Sequence, residues 1–508
     1  MNSNTRSRDA EVNGLSLRLL KTGVAGLDEI LGGGLPALSF NLIAGSPGSG
    51  KTTTAMQILF ANASPERPGL FITLLGETSL KMLRYQQQFQ FFDVARIGTD
   101  VHFLNLSEET LGGELTAVLD RIIKEVDRLR PGIVVIDSFR SLMHTAAAVP
   151  SPDLGLEHFV QRLALHLTTW EVTSFLIGEY QESELRNPVF TVADGILWLS
   201  QEVHRNSVVR KLQVVKARGV APMPGLHTAR MTSAGMQVFP RIPESAVADS
   251  RDRSRRLSTG VAALDEMMEG GIPSGDSLVL AGPAGTGKTT FALQFAAAGI
   301  RAGETVVIAI FEERPNSYLQ RAKSIGLNLN DALRDNKLRI IYLRPLDLSV
   351  DETLDEIQKA VKDIGATRVV IDSISGFEMA LAPGFREDFR ESLYRLIGAL
   401  TSLGVTMLST IEVVAPQGDL QFTGYQVSFL TDDIISLRYV EMEGELRKML
   451  MIVKMRGSNH SREFRLYETT NEGISLRESL RGYDNIIHGF PKRTDSNTLR
   501  TENLPRDS

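Results

Sequence analysis

A glycine-rich pattern of eight residues that occurs twice constrains this chain more than any other feature of its sequence. The second copy follows the apolar run 277–281, leads into the apolar segment 290–295, and reads Gly282-Pro283-Ala284-Gly285-Thr286-Gly287-Lys288-Thr289. A strand, a glycine-rich loop and a helix in this order are the context of a P-loop. The glycines let successive backbone N–H groups point at one place, and the helix N-terminus adds partial positive charge there. The pattern predicts a loop that binds phosphate.

Chemical roles follow from the residue types in the loop. We expect Lys288 to reach the β- and γ-phosphates of a nucleotide and the hydroxyl of Thr289 to bind Mg²⁺. Lys51 and Thr52 stand at the same places in the first copy. The predicted ATP-binding residues of the two loops, each with one further helical residue, are Gly45, Ser46, Pro47, Gly48, Ser49, Gly50, Lys51, Thr52, Thr53, Gly282, Pro283, Ala284, Gly285, Thr286, Gly287, Lys288, Thr289 and Thr290.

The loops belong to a long internal repeat. The segment Leu20–Glu29 returns as Leu257–Glu266, and both copies read Leu-x-Thr-Gly-Val-Ala-x-Leu-Asp-Glu. The loop lysines Lys51 and Lys288 are the same 237 positions apart (288 − 51). Solenoid repeats have periods of roughly 20–50 residues. The longer period therefore indicates a duplicated domain.

Composition narrows the class of protein. A chain of 508 residues predicts two or more domains, and a net charge of −6 argues against a broad nucleic-acid-binding face. The sequence contains no cysteine, which excludes disulfides and thiolate metal sites and suits a reducing cytosol. The first 13 residues lack the apolar core of a secretory signal, and the uncharged stretch 396–411 is typical of a helix end, a glycine turn and a buried strand. We expect a cytoplasmic protein without a membrane span.

Apolar strands alternate with helical segments along the chain. Strands are predicted at 70–74, 133–136 and 174–177, with helices at 119–129 and 159–169. Such alternation favours a mostly parallel sheet covered by helices. The predicted fold class is α/β, with two tandem P-loop domains built on mostly parallel, twisted sheets flanked by helices.

Polar and charged stretches suggest the domain boundaries. The segment 241–256 is polar, charged and rich in turn formers, and the chain after Pro491 is mostly polar. The predicted division is a flexible N-terminus over 1–15, a first domain over 16–242, a linker over 243–256, a second domain over 257–490 and a disordered tail over 491–508.

An acidic residue ends a matching apolar strand in each half. Asp137 follows Ile133–Ile136, and Asp372 follows Arg368–Ile371. A carboxylate behind a P-loop at matched spacing is placed to hold Mg²⁺ directly or through water. A turn after a buried strand would look the same in isolation, but its recurrence at matched spacing favours the metal. The predicted Mg²⁺ ligands are Thr52, Asp137, Thr289 and Asp372.

A phosphoryl-transfer site also needs a carboxylate to orient or deprotonate the attacking group. In the second half, Glu312 and Glu313 follow the apolar strand Val306–Ile310, at a strand end where α/β proteins build their sites. In the first half the strand 70–74 is followed by a single acid, Glu77, and the alignment needs a shift of one residue. We expect these three glutamates to be the catalytic residues.

Basic residues recur late in each half. Lys216 and Arg218 have counterparts in Lys454 and Arg456, each pair followed by glycine. Residues two apart on a strand project from the same face. A solvated basic edge strand is one interpretation. Their recurrence in both halves supports a second interpretation, in which the two cations contact the γ-phosphate bound by a neighbouring subunit.

Together these motifs resemble the KaiC family, the cyanobacterial clock ATPases and autokinases. The resemblance runs from about Leu20 to Pro491 and includes the Thr-Gly-Val-x-x-Leu-Asp openings, the Phe-Glu-Glu triplet that begins at Phe311 and the Lys-x-Arg-Gly strands. It is strongest at 439–445 and 454–458. It implies two RecA-like domains, ATP and Mg²⁺ as cofactors, and a homo-hexameric double ring with nucleotide at the subunit interfaces. It further implies ATP hydrolysis mainly in the first ring, autophosphorylation in the second, and a KaiB-like or signalling protein as partner.

The resemblance also implies a phosphoacceptor. The family has adjacent serine and threonine acceptors before a Thr-Asp pair, and Ser428 matches the serine. Phe429 replaces the threonine and has no hydroxyl to modify. Thr423 and Thr431 match other family threonines and are less favoured acceptors. The implied phosphorylation switch has one site, at Ser428. The alternative is that Ser428 is an interface residue that is not modified.

Two other classes of function stay open. A DNA-dependent motor shares the RecA-like core, but the acidic balance and the lack of a basic-aromatic run argue against a groove for single strands. A ring-shaped signalling scaffold without kinase activity is compatible with Phe429. The sequence favours the KaiC-like ATPase and serine/threonine autokinase.

Overall fold

A computed structural model describes most of the chain. The described residues are 17–74, 79–107, 110, 115–139, 152–180, 188–204, 207–241, 254–343, 349–381, 389–413 and 431–493. They divide into two compact units, one within Met1–Arg241 and the other within Ile242–Ser508.

The first unit is built from helices around one large sheet. Its helices are α1 (Leu27–Ile30), α2 (Lys51–Asn62), α3 (Ser79–Gln86), α4 (Leu115–Leu129), α5 (Pro152–Thr169) and α6 (Pro188–Val192). Its strands are β1 (Leu19–Leu20), β2 (Leu35–Pro36), β3 (Phe40–Gly45), β4 (Gly69–Thr73), β5 (Val101–Asn105), β6 (Ile133–Asp137), β7 (Thr173–Glu179), β8 (Gly195–His204), β9 (Ser207–Ala217), β10 (His227–Thr232) and β11 (Gly235–Phe239).

The large sheet has nine strands in the order β11-β10-β9-β8-β3-β7-β6-β4-β5. The strands from β8 to β5 are parallel, and β9, β10 and β11 continue the sheet in antiparallel pairs. β3 and β4 are buried along their whole length because helices cover both faces. Two apolar clusters, one on each face, form the core of this unit.

The second unit repeats the plan. Its helices are α7 (Ala262–Met267), α8 (Lys288–Arg301), α9 (Pro315–Ser324), α10 (Asn330–Arg334), α11 (Val350–Ile364), α12 (Ile374–Ala380) and α13 (Phe389–Ser402). Its strands are β12 (Arg256–Leu257), β13 (Ile272–Pro273), β14 (Ser277–Gly282), β15 (Val306–Ile310), β16 (Leu338–Tyr342), β17 (Arg368–Asp372), β18 (Thr406–Glu412), β19 (Asp433–Met442), β20 (Glu445–Met455), β21 (Arg465–Thr470), β22 (Gly473–Ser479), β23 (Tyr483–Asp484) and β24 (Lys492–Arg493).

The second large sheet has the same topology as the first. Its order is β16-β15-β17-β18-β14-β19-β20-β21-β22, and read from the β22 end every strand takes the place of its counterpart. The P-loop strands β3 and β14 are central, between β7 and β8 in one sheet and between β18 and β19 in the other. The predicted α/β class and the tandem mostly parallel sheets are confirmed.

The repeated motif, Leu20–Glu29 and Leu257–Glu266, forms the same local hydrogen bonds in both units. The hydroxyl of Thr22 donates to Asp28 Oδ1 at 2.8 Å, and that of Thr259 donates to Asp265 Oδ1 at 2.6 Å. In each unit the carboxylate also accepts the backbone N–H of the same threonine. The shared Thr and Asp therefore hold the chain against the start of a short helix ahead of the P-loop strand.

Some element boundaries differ from the sequence prediction. α4 begins at Leu115 instead of 119, and α5 begins at Pro152 instead of 159. Proline at a first helical position costs no hydrogen bond, and apolar periodicity marks the core-facing turns better than a helix start.

Two short strands lie beyond the predicted domain boundaries. β12 begins at Arg256, one residue before the predicted start of the second domain, and β24 falls in the tail that was expected to be disordered. β12 pairs with β13, and β24 pairs with β23. Pairing with a partner strand supplies the order that the polar composition of each segment does not predict.

The uncharged stretch 396–411 comprises the end of α13, a turn at Gly404 and most of the buried strand β18, as predicted. In the part of the chain that the structure describes, we find no helix with both the length and the apolar character needed to cross a membrane.

Candidate nucleotide-binding sites

The first P-loop connects β3 to α2 through a turn that requires glycine. Gly45 has a φ of +143°, and a Cβ there would lie 1.7 Å from the carbonyl oxygen of Leu199. Gly50, with a φ of +102°, immediately precedes the helix. Left-handed backbone at these positions is open to glycine at little cost. The loop therefore presents the N-terminus of α2 at the carboxyl end of β3.

Lys51, the first residue of α2, lies back across this loop. Its Nζ donates a hydrogen bond to the carbonyl oxygen of Ser46 at 2.7 Å and is 3.9 Å from the carboxylate of Glu179. Burial lowers the pKa of the Lys51 ammonium, and the negative charges of Glu179 and Asp137 partly offset that effect. The ammonium is thus held at the loop, close to the position that a phosphate oxygen would take.

Thr52 and Asp137 meet although they are far apart in the sequence. The Thr52 hydroxyl donates to Asp137 Oδ2 at 2.7 Å. Asp137 is the last residue of β6, two strands away from β3 in the sheet. A threonine hydroxyl and a carboxylate in contact beside a P-loop fit the donor set of Mg²⁺, which favours hard oxygen ligands and completes its shell with phosphates and water.

The second P-loop has the same construction. Gly282 ends β14, and Lys288 begins α8. Lys288 Nζ donates to the carbonyl oxygens of Gly282 and Pro283, each at 2.9 Å. Burial lowers the pKa of Lys288, and the charges of Glu412, Asp372 and Glu312 act in the opposite direction. Three acids thus surround the second loop lysine.

Asp372 is a half-buried carboxylate with several hydroxyl donors. Thr410 donates to Oδ1 at 2.5 Å, Tyr318 donates to Oδ2 at 3.1 Å, and the hydroxyl of Thr289 also bonds to this carboxylate. Burial raises the pKa of Asp372, and the three hydroxyl groups counter that rise. Thr289 and Asp372 thus repeat the pairing of the first loop.

Tyr318 was not predicted as a site residue. It lies on α9 and is 1% exposed, so its sequence context, an aromatic residue on a short helix, is that of an ordinary core tyrosine. The signal that could have drawn attention to it is its position five residues after Glu313, on the helix that follows the candidate catalytic acids.

The two candidate catalytic glutamates have different surroundings. Glu312 accepts a hydrogen bond from the Ser373 hydroxyl at 2.8 Å, and its charge acts on both Asp372 and Lys288. Glu313 instead pairs with Arg321 of α9 at 3.2 Å. The geometry therefore favours Glu312 over Glu313 as the group that faces a reacting phosphate.

Three predicted residues lie outside the described part of the chain: Glu77, Thr423 and Ser428. Thr431, the less favoured acceptor, is described and is fully buried. Its carbonyl oxygen accepts a hydrogen bond from Lys454 Nζ at 2.6 Å.

The basic pair of the first unit lies at the other end of the sheet from its own P-loop. Arg218 follows the last residue of β9, Ala217, which pairs with Gly195 on β8. Gly195 pairs in turn with Asn41, near the start of β3, whereas the P-loop follows Gly45 at the end of that strand. Four residues of strand span about 13 Å. Within one chain the structure does not bring this pair to the nucleotide loop.

The second unit has the same arrangement. Met455, between Lys454 and Arg456, pairs with Asp433, and Asp433 pairs with Leu278 at the start of β14. The P-loop again follows the far end of that strand.

The basic pairs are held by nearby polar groups. Arg218 donates to Asp194 at 3.0 Å and Arg456 lies 3.6 Å from Asp432, while both arginines keep more than half of their side chain exposed. Burial lowers the pKa of Lys216, and the adjacent Arg218 lowers it further. Lys216 Nζ donates to the carbonyl oxygen of Thr191 at 3.1 Å. Each arginine is thus anchored and still accessible to another molecule.

Among the described residues there is no cluster of three or more His, Cys, Asp or Glu side chains that would bind a metal by itself. A P-loop metal differs from such a site, because one threonine and one carboxylate share the ion with phosphate oxygens. The Thr52–Asp137 and Thr289–Asp372 pairs fit this second kind of site. The fold and these two loops define the chain as a tandem RecA-like P-loop ATPase.

Comparison with known proteins narrows this class to one family. The family model of the KaiC ATPase matches residues 20–242 and again residues 257–481. The chain is 30% identical over 500 residues to the circadian clock oscillator protein KaiC of Parathermosynechococcus lividus, covering 96% of this chain and 91% of that protein. It is 30% identical over 485 residues to KaiC of Synechococcus elongatus, covering 93% and 92%. It is 29% identical over 501 residues to KaiC 1 of Synechocystis sp., covering 96% and 95%. The chain belongs to the KaiC family of ATPases, which implies that it uses ATP.

Proposed function

We propose that this protein is a ring-forming ATPase and serine autokinase with a signalling or timing role. The first domain, within 16–242, hydrolyses ATP, and the second, within 257–490, transfers the γ-phosphoryl group to the protein itself. The relatives are described as circadian clock oscillator proteins, which supports the timing role. A homo-hexameric double ring in the cytoplasm, with a KaiB-like or signalling protein as partner, completes the proposal.

The observation that supports assembly into a ring is the distance between each basic pair and the P-loop of its own domain. Arg218 and Arg456 lie at the amino ends of the central strands, and the loops lie at the carboxyl ends. A cation at that edge is too far from the γ-phosphate of its own domain, and we infer that a neighbouring subunit supplies the phosphate that it meets. Head-to-tail contacts of this type form a ring when the rotation between subunits closes. Lys216, Arg218, Lys454 and Arg456 are therefore assigned to the neighbouring subunit's nucleotide.

In the first domain, Lys51 and the N–H groups of the loop bind the phosphates. Thr52 and Asp137 would hold Mg²⁺, which when bound would neutralise negative charge on the phosphates. Glu77 orients the attacking water and takes its proton, and Arg218 of the adjacent subunit stabilises the charge that develops. The products are ADP and inorganic phosphate.

In the second domain the nucleophile is the Ser428 hydroxyl of an adjacent subunit. Glu312, held by the Ser373 hydroxyl, accepts the serine proton as the oxygen attacks. The new Oγ–P bond forms while the bond from the γ-phosphorus to the β,γ-bridging oxygen breaks, and ADP leaves. Lys288 and Arg456 stabilise the transferring group, and a cation supplied in this way can be worth roughly 10³–10⁵ in rate.

Phosphate mapping by mass spectrometry after incubation with Mg·ATP tests the kinase assignment. We expect phosphate on Ser428, its loss in Ser428→Ala, and loss of incorporation in Glu312→Gln with ATP still bound. Thr431→Ala is the matched control and should leave the Ser428 phosphate in place, because Thr431 is fully buried.

Clear ATP hydrolysis with no phosphate on any residue would overturn the kinase assignment. The supported function would then be a KaiC-like signalling scaffold whose ATPase sets its conformation. Phe429, at the place of a second acceptor, is the observation that favours this second candidate.

A further inference from the structure

The first unit contains a pocket away from its nucleotide loop. Its volume is about 390 Å³, and it lies where β6 and β7 begin, whereas the P-loop follows the end of β3. Apolar side chains form part of its wall, and the charged residues that line it are Arg18, Arg67 and Glu171. The pocket has the volume of an ordinary ligand site.

The second unit fills the matching place with an arginine. Arg368, the first residue of β17, is 1% exposed and donates through Nε to Glu304 Oε2 at 2.5 Å. Arg255 donates to the other oxygen of Glu304, also at 2.5 Å. The carboxylate of Glu304 therefore lies between two guanidinium groups and accepts a hydrogen bond from each.

The remaining contacts of Arg368 show how completely it occupies this place. Its guanidinium donates to the carbonyl oxygens of Ser258 at 2.7 Å and Phe295 at 3.0 Å. A Cβ on Gly299 would lie 2.6 Å from Arg368 Cδ, so the absence of a side chain on this residue makes room for the arginine.

In the first unit an asparagine takes over those carbonyl groups. Asn62 stands at the position of Gly299, and its Nδ2 donates to the carbonyl oxygens of Lys21 and Ile58, each at 2.8 Å. Lys21 and Ile58 match Ser258 and Phe295 at the repeat offset. Ile133 stands at the position of Arg368. Its shorter side chain leaves open the volume that the arginine fills in the second unit.

The charge pattern changes at the same place. Arg18 stands at the position of Arg255, and Arg67 stands at the position of Glu304, with the same offset of 237 (304 − 67). Arg67 donates to the backbone oxygen of Glu171 at 2.8 Å. The first unit thus has two arginines at the pocket. One of them, Arg67, stands at the position of Glu304, whose carboxylate joins the two guanidinium groups in the second unit.

We propose that this pocket binds a small organic carboxylate with a short apolar body. The ligand carboxylate binds Arg18 and Arg67 together, as Glu304 binds two guanidinium groups in the second unit, and charge-assisted hydrogen bonds of this kind are strong. The apolar body packs on Leu17, Leu20 and Leu38, which line the pocket. The carboxylate of Glu171 disfavours ligands with more than one negative charge. The site is separate from the nucleotide loops and does not depend on the proposed kinase activity.

Titration calorimetry of the full-length protein with octanoate tests the proposal, with ADP present to keep the P-loops occupied. We expect a Kd below about 1 mM. Arg67→Glu, which restores the residue type of the second unit, should weaken binding by at least about tenfold, and Arg18→Ala should do the same. Arg128→Ala is the control, because Arg128 is an exposed arginine of α4 that pairs with Glu125. Octanol, which lacks the charge, should show no saturable binding.

Absence of octanoate binding to the wild-type protein would overturn the proposal. Equal binding by the wild type and by both arginine variants would also overturn it, as would saturable binding of octanol as tight as that of octanoate. Thermal unfolding and ADP binding of each variant report whether it is folded. If Arg67→Glu does not fold, Arg18→Ala decides the question.

Discussion

The hydroxyl of Tyr318 donates a hydrogen bond to Oδ2 of Asp372 at 3.1 Å, in the second unit. Tyr318 is the fourth residue of α9, and the fourth residue of the matching helix α3 is Met82. Thr410, which also donates to Asp372 and lies on strand β18, corresponds to Ile177 in the first unit. The two candidate metal carboxylates thus differ, because two hydroxyl donors of the second site have apolar counterparts in the first.

Removal of the tyrosine hydroxyl should weaken Mg²⁺ at the second site. Hydrogen bonds that orient a metal-binding carboxylate typically contribute about 10–100-fold to metal affinity. In Tyr318→Phe we expect about a tenfold rise in the Mg²⁺ concentration that half-saturates nucleotide binding. The measurement is a Mg²⁺ titration of fluorescent nucleotide binding in a Lys51→Ala background, which leaves only the second P-loop intact.

Tyr342→Phe is the matched control, because Tyr342 lies on β16 of the same unit. An unchanged Mg²⁺ requirement in Tyr318→Phe would show that the hydroxyl serves packing alone.

The loop lysines should separate the activities of the two domains. Lys51→Ala should reduce nucleotide hydrolysis in the first domain by about 10²-fold or more, because a charge aimed at the phosphates is lost. Lys288→Ala should leave hydrolysis by the first domain intact and abolish phosphate incorporation. ATP hydrolysis rates, bound-nucleotide stoichiometry and phosphate incorporation, measured on the same samples, check both expectations. Loss of incorporation in Lys51→Ala with the second site still occupied would contradict this division.

Mixed subunits test whether Arg456 acts across an interface. Lys288→Ala and Arg456→Ala should each abolish incorporation alone. In a reassembled 1:1 mixture, roughly a quarter of the head-to-tail interfaces join an intact P-loop to an intact arginine, so activity should return. An arginine that acts within its own chain would restore nothing, since no subunit of the mixture carries both groups. A mixture of Arg456→Ala with unmodified subunits sets the scale.

A buried acid should make stability depend on pH. Asp433 is fully buried at the start of β19, and burial raises its pKa to about 8, with further contributions from Asp276 and Asp432. The groups that oppose the rise or face the same place are the backbone of Arg456 and the cations of Arg256 and Lys454. Between its ordinary pKa of 3.8 and about 8, the folded chain keeps a proton that the unfolded chain has released. The free energy of unfolding therefore falls as the pH rises through this window.

Asp433→Asn should flatten that profile, because the amide does not titrate. At pH 8 we expect the variant to melt about 2–4 °C above the wild type. Asp355→Asn, which changes an acid paired with Lys359 on α11, should keep the wild-type slope. Calorimetric melting curves from pH 5 to pH 8 check the expectation, and parallel profiles for Asp433→Asn and the wild type would refute it.

Patterns contiguous along the chain were open to sequence analysis. The duplication, both P-loops and the strands that end in Asp137 and Asp372 depend on short segments whose residue order determines their local structure. The family followed from the same segments, and the matches at 20–242 and 257–481 confirm it. The fold class followed from the alternation of strands and helices.

Relationships across a sheet were decided by the tertiary structure alone. The contact between Tyr318 and Asp372 joins residues 54 positions apart, and the separate surroundings of Glu312 and Glu313 depend on where α9 and β17 lie. The place of Arg456, at the far end of the sheet from its own P-loop, follows from strand order and register. None of these three relationships can be predicted from a single segment of the sequence.

The hydrogen bonds of Asn62 and Arg368 to equivalent carbonyl oxygens show the same division most directly. By themselves, an asparagine on a helix and an arginine on a strand carry no sign that they compete for equivalent carbonyl groups. The sequence by itself determined which local elements form and that they form twice. Tertiary structure decided which side chains meet, because packing of helices on a sheet brings together residues whose separation along the chain contains no information about their distance in space.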